Sequence, residues 1–334
     1  MLNIYPPSAF DVYKKIKIHY SPSIDAACDE IYKACEGVGT DEKTIVKVLG
    51  PRSPNDRALI AYRYQELYNT SLRDLVKSET SGDFGYALQL ISMSLPRAEA
   101  YIIYHAMKGL GTSEQLIYPI VLGRTNEELS ILKKAFFEMY ETDLSVMAND
   151  DLSGDFHYII TTALQEVLVE HKSSFHTREK AEEDAERIYK AGEGKWGTDE
   201  GGFVKTLLAS PPKHIRHIDE IYTEKYKHGL VYAIESEFSG TSAQALSFYV
   251  RLALDPWNTV SELIENAMNG IGTDESALSA ALVRYHPYLH KVKHSFEHKN
   301  KLSLRERVHE ETTGRYQELL MYIIDAPVSI GEYA

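Results

Sequence analysis

Gly37-Val38-Gly39-Thr40 is a short glycine motif that recurs along the chain. Similar tetrapeptides stand at Gly109-Leu110-Gly111-Thr112 and Gly270-Ile271-Gly272-Thr273, and a variant, Lys195-Trp196-Gly197-Thr198, lies between them. The second glycines of successive copies are separated by 72, 86 and 75 residues. Self-similarity at such a period indicates a repeat protein in which each unit is one small module. The sequence therefore predicts four repeats.

Each glycine motif is followed, at a matched distance, by an acidic residue and a turn of small residues. The four stretches are Glu79-Thr80-Ser81-Gly82, Asp151-Leu152-Ser153-Gly154, Glu237-Phe238-Ser239-Gly240 and Glu311-Thr312-Thr313-Gly314. Between the threonine and the acid lie 38 residues in the first three copies and 37 in the fourth. Because this distance is kept, we expect each loop and its acid to form one site.

The apolar residues within a repeat follow a helical period, as at Ala27, Ile31 and Ala34, and no stretch shows the alternation typical of strands. Ser53 and Gly82 mark further helix starts. We predict an all-α chain with four or five short helices in each repeat. The motif threonines are predicted to be helix N-caps, and Thr112 with Gln115 fits a capping box. These threonines are Thr40, Thr112, Thr198 and Thr273.

The 334 residues carry 36 basic and 49 acidic side chains, a net charge of −13. Nucleic acid and anionic bilayers both attract basic surfaces, so we expect no nucleic-acid partner. Cys28 and Cys35 are too few for a disulfide-built secreted module, and we expect reduced thiols. No apolar run approaches the ~18–20 residues of a membrane span, and the first residues lack the apolar region of a signal peptide. We expect a soluble, cytoplasmic protein without the common catalytic motifs, and no enzyme.

The loop and the distant acid together suit a hard cation. Glycines at a helix end let the backbone turn and direct carbonyl oxygens outward, and a carboxylate from a second loop adds charge. Ca²⁺ takes about 6–8 oxygen ligands in irregular geometry. Three carbonyls and one bidentate acid supply about five, which leaves positions for water or a lipid phosphate oxygen. A single such loop is typical of a plain turn, but four copies with matched acids favour a metal site.

These motifs resemble the calcium signature of the annexin family, in which Gly-x-Gly-Thr is followed at this spacing by Asp or Glu, and the resemblance spans about residues 22 to 325. It implies five helices in each repeat and a slightly curved disc with its calcium loops on the convex face. We assign residues 1–21 to an N-terminal tail and 167–184 to a polar connector. The first three repeats are then residues 22–95, 96–166 and 185–254, and residues 255–334 contain the fourth repeat and a C-terminal tail.

The resemblance also implies the calcium ligands, three backbone carbonyls and one carboxylate in each repeat. The first and second sites are Cys35, Gly37, Gly39 and Glu79, and Met107, Gly109, Gly111 and Asp151. The third and fourth sites are Gly192, Lys195, Gly197 and Glu237, and Met268, Gly270, Gly272 and Glu311.

The residue at each loop apex is apolar, and we expect these side chains to enter the lipid headgroup region, where the indole of Trp196 is best suited. Packing of the loop tips on neighbouring residues is the alternative. The four apex residues are Val38, Leu110, Trp196 and Ile271.

Four histidines at four-residue spacing, His286, His290, His294 and His298, form a further pattern. On one helix they would make a stripe, which is most simply a solvated or half-buried face. As a hypothesis, protonation of this stripe near pH 6 promotes membrane binding without calcium.

Together these features predict calcium-dependent binding to anionic phospholipid membranes such as phosphatidylserine surfaces, through Ca²⁺ bridges. The expected protein is cytoplasmic and reversibly peripheral, and serves membrane organisation, trafficking, repair or cytoskeleton attachment. A cytoskeletal or tail-binding protein is a further candidate partner, and lateral oligomers on membranes are left open. The alternative is a cytoskeleton-associated structural protein of annexin type whose lipid sites are weak or vestigial.

Overall fold

The computed structural model describes residues 2–36, 40–108, 111–165, 168–270 and 272–327. Throughout these ranges the regular structure is helical, without a strand. A short N-terminal helix, α1, spans Pro7–Tyr13. Twenty α-helices follow, five to each repeat, together with one 3-10 turn at His286–Tyr288. The predicted all-α repeat fold is therefore confirmed.

The five helices of each repeat follow one order, and the fourth is a short helix of 8 residues in every repeat. The first repeat has α2 (Pro22–Ala34), α3 (Glu42–Leu49), α4 (Pro54–Tyr68), α5 (Leu72–Glu79) and α6 (Gly82–Ile91). The second has α7 (Leu95–Lys108), α8 (Glu114–Val121), α9 (Asn126–Tyr140), α10 (Leu144–Asp151) and α11 (Gly154–Gln165). The third has α12 (Arg178–Ala191), α13 (Glu200–Leu208), α14 (Pro212–Tyr226), α15 (Leu230–Glu237) and α16 (Gly240–Leu254). The fourth has α17 (Pro256–Asn266), α18 (Glu275–Arg284), α19 (Leu289–Asn300), α20 (Leu304–Glu311) and α21 (Gly314–Asp325).

The predicted helix starts at Ser53 and Gly82 are confirmed. The Ser53 hydroxyl accepts the Asp56 amide at 3.1 Å as the N-cap of α4. Gly82 opens α6 with a φ of +62°. The equivalent residues Gly154, Gly240 and Gly314 have φ of +60°, +57° and +63°. This left-handed backbone favours glycine and turns the chain sharply after each acid.

The helices pack into two compact units. One contains residues 102–259 and so most of the second and third repeats. Within it, α11 packs against α13 and α16, and α8 also contacts α16. The other unit combines residues 4–101 with the described chain from Val260 onward, and in it α6 packs against α18 and α21.

From Ile4 onward the N-terminal segment is part of the second of these units. Helix α1 packs against α4, and the Ser8 amide donates to the Asn55 side chain at 3.2 Å. The buried Tyr5 hydroxyl donates to Glu99 at 2.5 Å, and Glu99 is also ion-paired with the buried Arg284. A buried charge is tolerated when it is paired and hydrogen-bonded. These contacts connect the segment of Tyr5 and Ser8 to helices of the first, second and fourth repeats.

Candidate metal sites

Two helix C-termini converge at the predicted site of each repeat. The first helix ends at or just before the glycine loop, and the fourth helix ends on the acid itself, as α5 ends at Glu79 and α15 at Glu237. The last carbonyls of a helix lack intrahelical partners, and the macrodipole is negative at that end. All four acids are half-buried in this position. The backbone alone therefore favours a cation there.

A threonine hydroxyl connects loop and acid in three repeats. Thr198 donates to Glu237 Oε2 at 2.5 Å, and Thr273 donates to Glu311 Oε2 at 3.1 Å. In the first repeat, Thr40 donates to Glu79. Residues nearly forty positions apart thus meet as the spacing suggested.

The glycine loop is also closed by a backbone bond that recurs in all four repeats. In each case the residue after the threonine donates its amide to the carbonyl of the alanine that precedes the first predicted ligand. The bonds are Asp41 to Ala34 at 2.8 Å, Ser113 to Ala106 at 2.9 Å, Asp199 to Ala191 at 2.6 Å and Asp274 to Ala267 at 2.8 Å.

The prediction that the motif threonines are N-caps was wrong by one residue. The N-caps are Asp41, Ser113, Asp199 and Asp274, and the three aspartates accept an amide of the first helical turn. The predicted capping box of Thr112 and Gln115 is also wrong, because the N-cap is Ser113. Thr40, Thr198 and Thr273 use their hydroxyls for the distant acid instead.

The third site is described over its whole length. A Cβ added at Gly192 would lie 2.8 Å from Glu237 Cγ, so the acid lies directly against the backbone of this predicted ligand. Gly197 has a φ of +80°, which favours glycine. Trp196 at the apex is fully exposed, at 103% of its reference area. The residues of this site fit a calcium ion, because the donors are oxygens gathered at two helix C-termini.

The first site is described only in part, since Gly37, Val38 and Gly39 lie outside the described residues. Burial, and then the nearby Glu79 carboxylate, raise the pKa of the Cys35 thiol to about 11. The thiol therefore stays protonated at neutral pH, and the carbonyl is the donor that Cys35 can offer a hard cation. These residues fit calcium.

The second site has a lysine beside its acid. Lys108 Nζ lies 3.1 Å from Asp151 Oδ2, and the lysine side chain is half exposed. Gly111 has a φ of +94°, whereas Gly109 and Leu110 lie outside the described residues. Exposed ion pairs contribute little, at ~0–1 kcal/mol, so Lys108 can leave the acid readily. The buried Met107 and the acid fit calcium here as well.

The fourth site differs, because a guanidinium lies within it. Arg307 Nη2 donates to the Met268 carbonyl at 2.9 Å, and its Nη1 donates to Glu311 Oε1. Its Nε lies 3.2 Å from Glu265 Oε1. Burial lowers the pKa of Arg307, but the carboxylates of Glu265 and Glu311 outweigh burial and raise it. With a cation bonded to two of the four predicted ligands, this site as it stands does not fit calcium.

Arg307 was missed by the sequence reasoning, although the sequence carries a signal for it. Gly270 and Gly272 have φ of +121° and +92°, as a loop of this kind requires, and Ile271 lies outside the described residues. The glycine motif itself therefore gives no warning. The signal lies four residues before the acid, where the other repeats have Leu75, Met147 and Ala233.

The prediction of a four-histidine stripe on one helix was wrong for His286. His290, His294 and His298 lie exposed on α19, whereas His286 lies in the preceding 3-10 turn and is completely buried. Burial and the neighbouring Arg57 hold the pKa of His286 well below its usual range, so it stays neutral near pH 6. No group of three or more His, Cys, Asp or Glu residues suited to a metal occurs in the part of the chain that the structure describes.

None of the helices over the described ranges is both long and apolar enough to cross a bilayer.

Comparison with known proteins agrees with this geometry. A sequence profile of the annexin family matches residues 25–91, 98–162, 183–247 and 260–323. Annexin A13 of Mus musculus is 34% identical over 308 residues, which cover 92% of this chain and 96% of that protein.

Among solved structures, annexin III superposes with a TM-score of 0.82 at 28% identity, covering 93% of this chain and 95% of that one. A calcium-bound annexin (Sm)1 superposes with a TM-score of 0.76 at 26% identity, covering 92% and 93%. The chain therefore belongs to the annexin family, whose members are known in general for calcium-dependent binding of phospholipids and are generally binding proteins rather than enzymes.

Proposed function

We propose that this protein binds anionic phospholipid membranes reversibly, with calcium held in its first three repeats. The convergence of Gly192 and Glu237 at two helix ends is the observation that best supports this proposal. The remaining ligands would be the carbonyls of Lys195 and Gly197 in that repeat. In the first two repeats they would be the loop carbonyls assigned above, together with Glu79 and Asp151. Bound Ca²⁺ would supply positive charge and open coordination positions for lipid phosphate oxygens.

The charge of the chain supports a requirement for such a cation. At a net charge of −13, the protein is repelled by an anionic bilayer until positive charge is added. Lys108 is one basic side chain at a candidate site, but it is paired with Asp151. In our proposal calcium displaces this lysine from the acid and leaves its ammonium free to meet lipid phosphate.

The exposed indole of Trp196 is the second part of the proposal. Exposure of the apolar indole ring of Trp196 to water is unfavourable. At the headgroup boundary the ring can contact apolar lipid while its N–H still donates to a polar group, so transfer of the side chain to that boundary is favourable. Val38, Leu110 and Ile271 hold the same place in the other loops and would contact the membrane alongside it.

The cellular role proposed is that of a cytoplasmic, reversibly peripheral membrane protein in membrane organisation, trafficking, repair or cytoskeleton attachment. The test is cosedimentation with phosphatidylserine vesicles over a calcium series, followed by addition of a chelator. We expect binding that rises with calcium and is fully reversed by the chelator. Absence of binding at millimolar calcium, with tight filament binding in the chelator, would instead favour a cytoskeletal protein with vestigial lipid sites.

A further inference from the structure

In the fourth repeat, each of the three nitrogens of one arginine guanidinium bonds a different residue. The guanidinium of Arg307 bonds the Met268 carbonyl through Nη2, Glu311 through Nη1 and Glu265 through Nε. Its side chain is only 18% exposed, and those of Glu265 and Glu311 are 19% and 27% exposed. Partly desolvated, charge-assisted bonds of this kind are stronger and more specific than surface ion pairs. The arginine is therefore held in place by three partners.

We propose that Arg307 takes the place of calcium in the fourth repeat, so that the Met268 carbonyl and the Glu311 carboxylate are bridged without metal and the protein binds calcium in three repeats instead of four. The inference rests on the proposed function, since it presumes calcium sites in the other repeats. It names the residue that decides which repeats respond to calcium.

The bonding around Glu311 supports this assignment. One carboxylate oxygen is bonded by Arg307 and the other accepts the Thr273 hydroxyl at 3.1 Å. The carbonyl of Met268, a second predicted calcium ligand, is bonded by the same guanidinium. Calcium could bind only by displacing a positive charge from two carboxylates and a carbonyl. The positive charge of Arg307 is stabilised by the negative ends of the two helices, and its N–H groups donate to the free carbonyl and carboxylate oxygens there.

A second position changes together with the arginine. In the first three repeats, a tyrosine three residues before the first ligand stacks on a tyrosine at the end of the third helix. Their ring centroids are 4.4 Å apart for Tyr32 and Tyr68, 3.8 Å for Tyr104 and Tyr140, and 4.0 Å for Tyr189 and Tyr226. The fourth repeat has Glu265 and Asn300 at these positions. The stacked pair is thus replaced by a carboxylate that bonds Arg307, which indicates a built site.

The test is the number of calcium ions bound per full chain, measured by equilibrium dialysis at saturating calcium with phosphatidylserine vesicles present, after subtraction of the calcium that the same vesicles bind without protein. We expect three ions for the wild type and four for Arg307→Met, which installs the residue that the second repeat has at this position. Arg307→Lys keeps a positive charge there and should bind three. The reverse exchange, Leu75→Arg with Tyr32→Glu, transfers the arginine and its partner to the first repeat and should leave two.

Melting in chelator and in calcium gives an independent readout. Arg307→Met should melt lower than the wild type in chelator, by on the order of 2–4 °C, and calcium should raise its Tm by more than it raises that of the wild type. Four ions on the wild type, or three on Arg307→Met with no added calcium stabilisation, would overturn the assignment. A wild type that binds no calcium would refute the proposed function itself, a result distinct from either.

Discussion

The third and fourth repeats are built from the same five helices but use the final acid of the fourth helix differently. Glu237 lies against the backbone of Gly192 and accepts one threonine hydroxyl. Glu311 accepts the corresponding threonine but is also bonded by Arg307. The second loop glycine is equivalent in both, with positive φ at Gly197 and Gly272, whereas Lys195 stands in the third loop where the fourth has Gly270.

If the proposed calcium sites are right, the glycine loop defines a place for a cation, and a neighbouring residue determines which cation fills it. In both repeats two helix C-termini and a carboxylate produce a negative potential. A single substitution four residues before the acid, from Ala233 in the third repeat to Arg307 in the fourth, places a charged side chain inside that potential. In our proposal the acid of the third repeat is therefore available to calcium, whereas that of the fourth is already bonded by Arg307.

The largest expected effect comes from neutralising the acids of the first three repeats together. Glu79→Gln, Asp151→Asn and Glu237→Gln remove the carboxylate of each proposed site and should raise the calcium needed for vesicle binding by at least about 100-fold, since loss of even an outer-shell partner commonly costs 10–100-fold. Cosedimentation with phosphatidylserine vesicles over a calcium series measures it.

Glu311→Gln is the matched control for that variant. It should leave the calcium requirement within about threefold of the wild type, because Glu311 already bonds Arg307. It should lower the Tm in chelator, because a partly buried guanidinium loses one of its two carboxylates. Equal losses of vesicle binding in both variants would show that the fourth repeat binds calcium as the first three do, which would contradict the proposed difference between them.

The next effect concerns the close approach of backbone and acid in the third repeat. Gly192→Ala places a methyl group 2.8 Å from Glu237 Cγ and must displace the acid. We expect a roughly tenfold weaker third site and a destabilisation of about 1–3 kcal/mol. Gly201→Ala is the control, since its added Cβ meets Tyr158 Oη at 3.4 Å in a helix that favours alanine. If the calcium titration of Gly192→Ala were the same as that of the wild type, Gly192 would not be part of the third calcium site.

The exposed apex of the third repeat should give a smaller effect. Trp196→Ala should weaken vesicle binding about fivefold, corresponding to ~1 kcal/mol, without a change in Tm, because Trp196 makes almost no contact with the folded protein. Calcium and vesicles should shift the tryptophan emission of the wild type to shorter wavelength. In Trp196→Ala the half-buried Trp257 remains as the reporter and should show little shift. A full shift in the variant would contradict membrane insertion of Trp196.

The repeats and their helices were predictable because they depend on local periodicity and on spacing that recurs. The sequence marks Arg307 as the one charged residue at its position in the four repeats, but it does not give the contacts of that residue. Along its own helix Arg307 forms an ordinary Arg–Glu pair, and its other partners, Glu265 and Met268, lie about forty residues away. The same limit applies to the threonine caps, where a distant carboxylate competed with the local amide. The Glu99–Arg284 pair is likewise a tertiary contact that local patterning does not encode.

The smallest expected effect concerns His286, which lies in the 3-10 turn between α18 and α19 and contacts Arg57 Nη1 through its Nδ1 at 3.1 Å. Burial, Arg57 and Lys293 all lower the pKa of this imidazole, against a smaller opposite effect of the Ala326 backbone. As the pH falls below about 6.5, His286 is therefore protonated in the unfolded chain but stays neutral in the folded chain. The free energy of unfolding then falls by up to ~1.4 kcal/mol per pH unit. His286→Asn should reduce the fall in Tm between pH 7 and 5.5, whereas His294→Asn, on the exposed face of α19, should leave it unchanged. Equal slopes in the wild type and His286→Asn would mean that other groups cause the acid sensitivity.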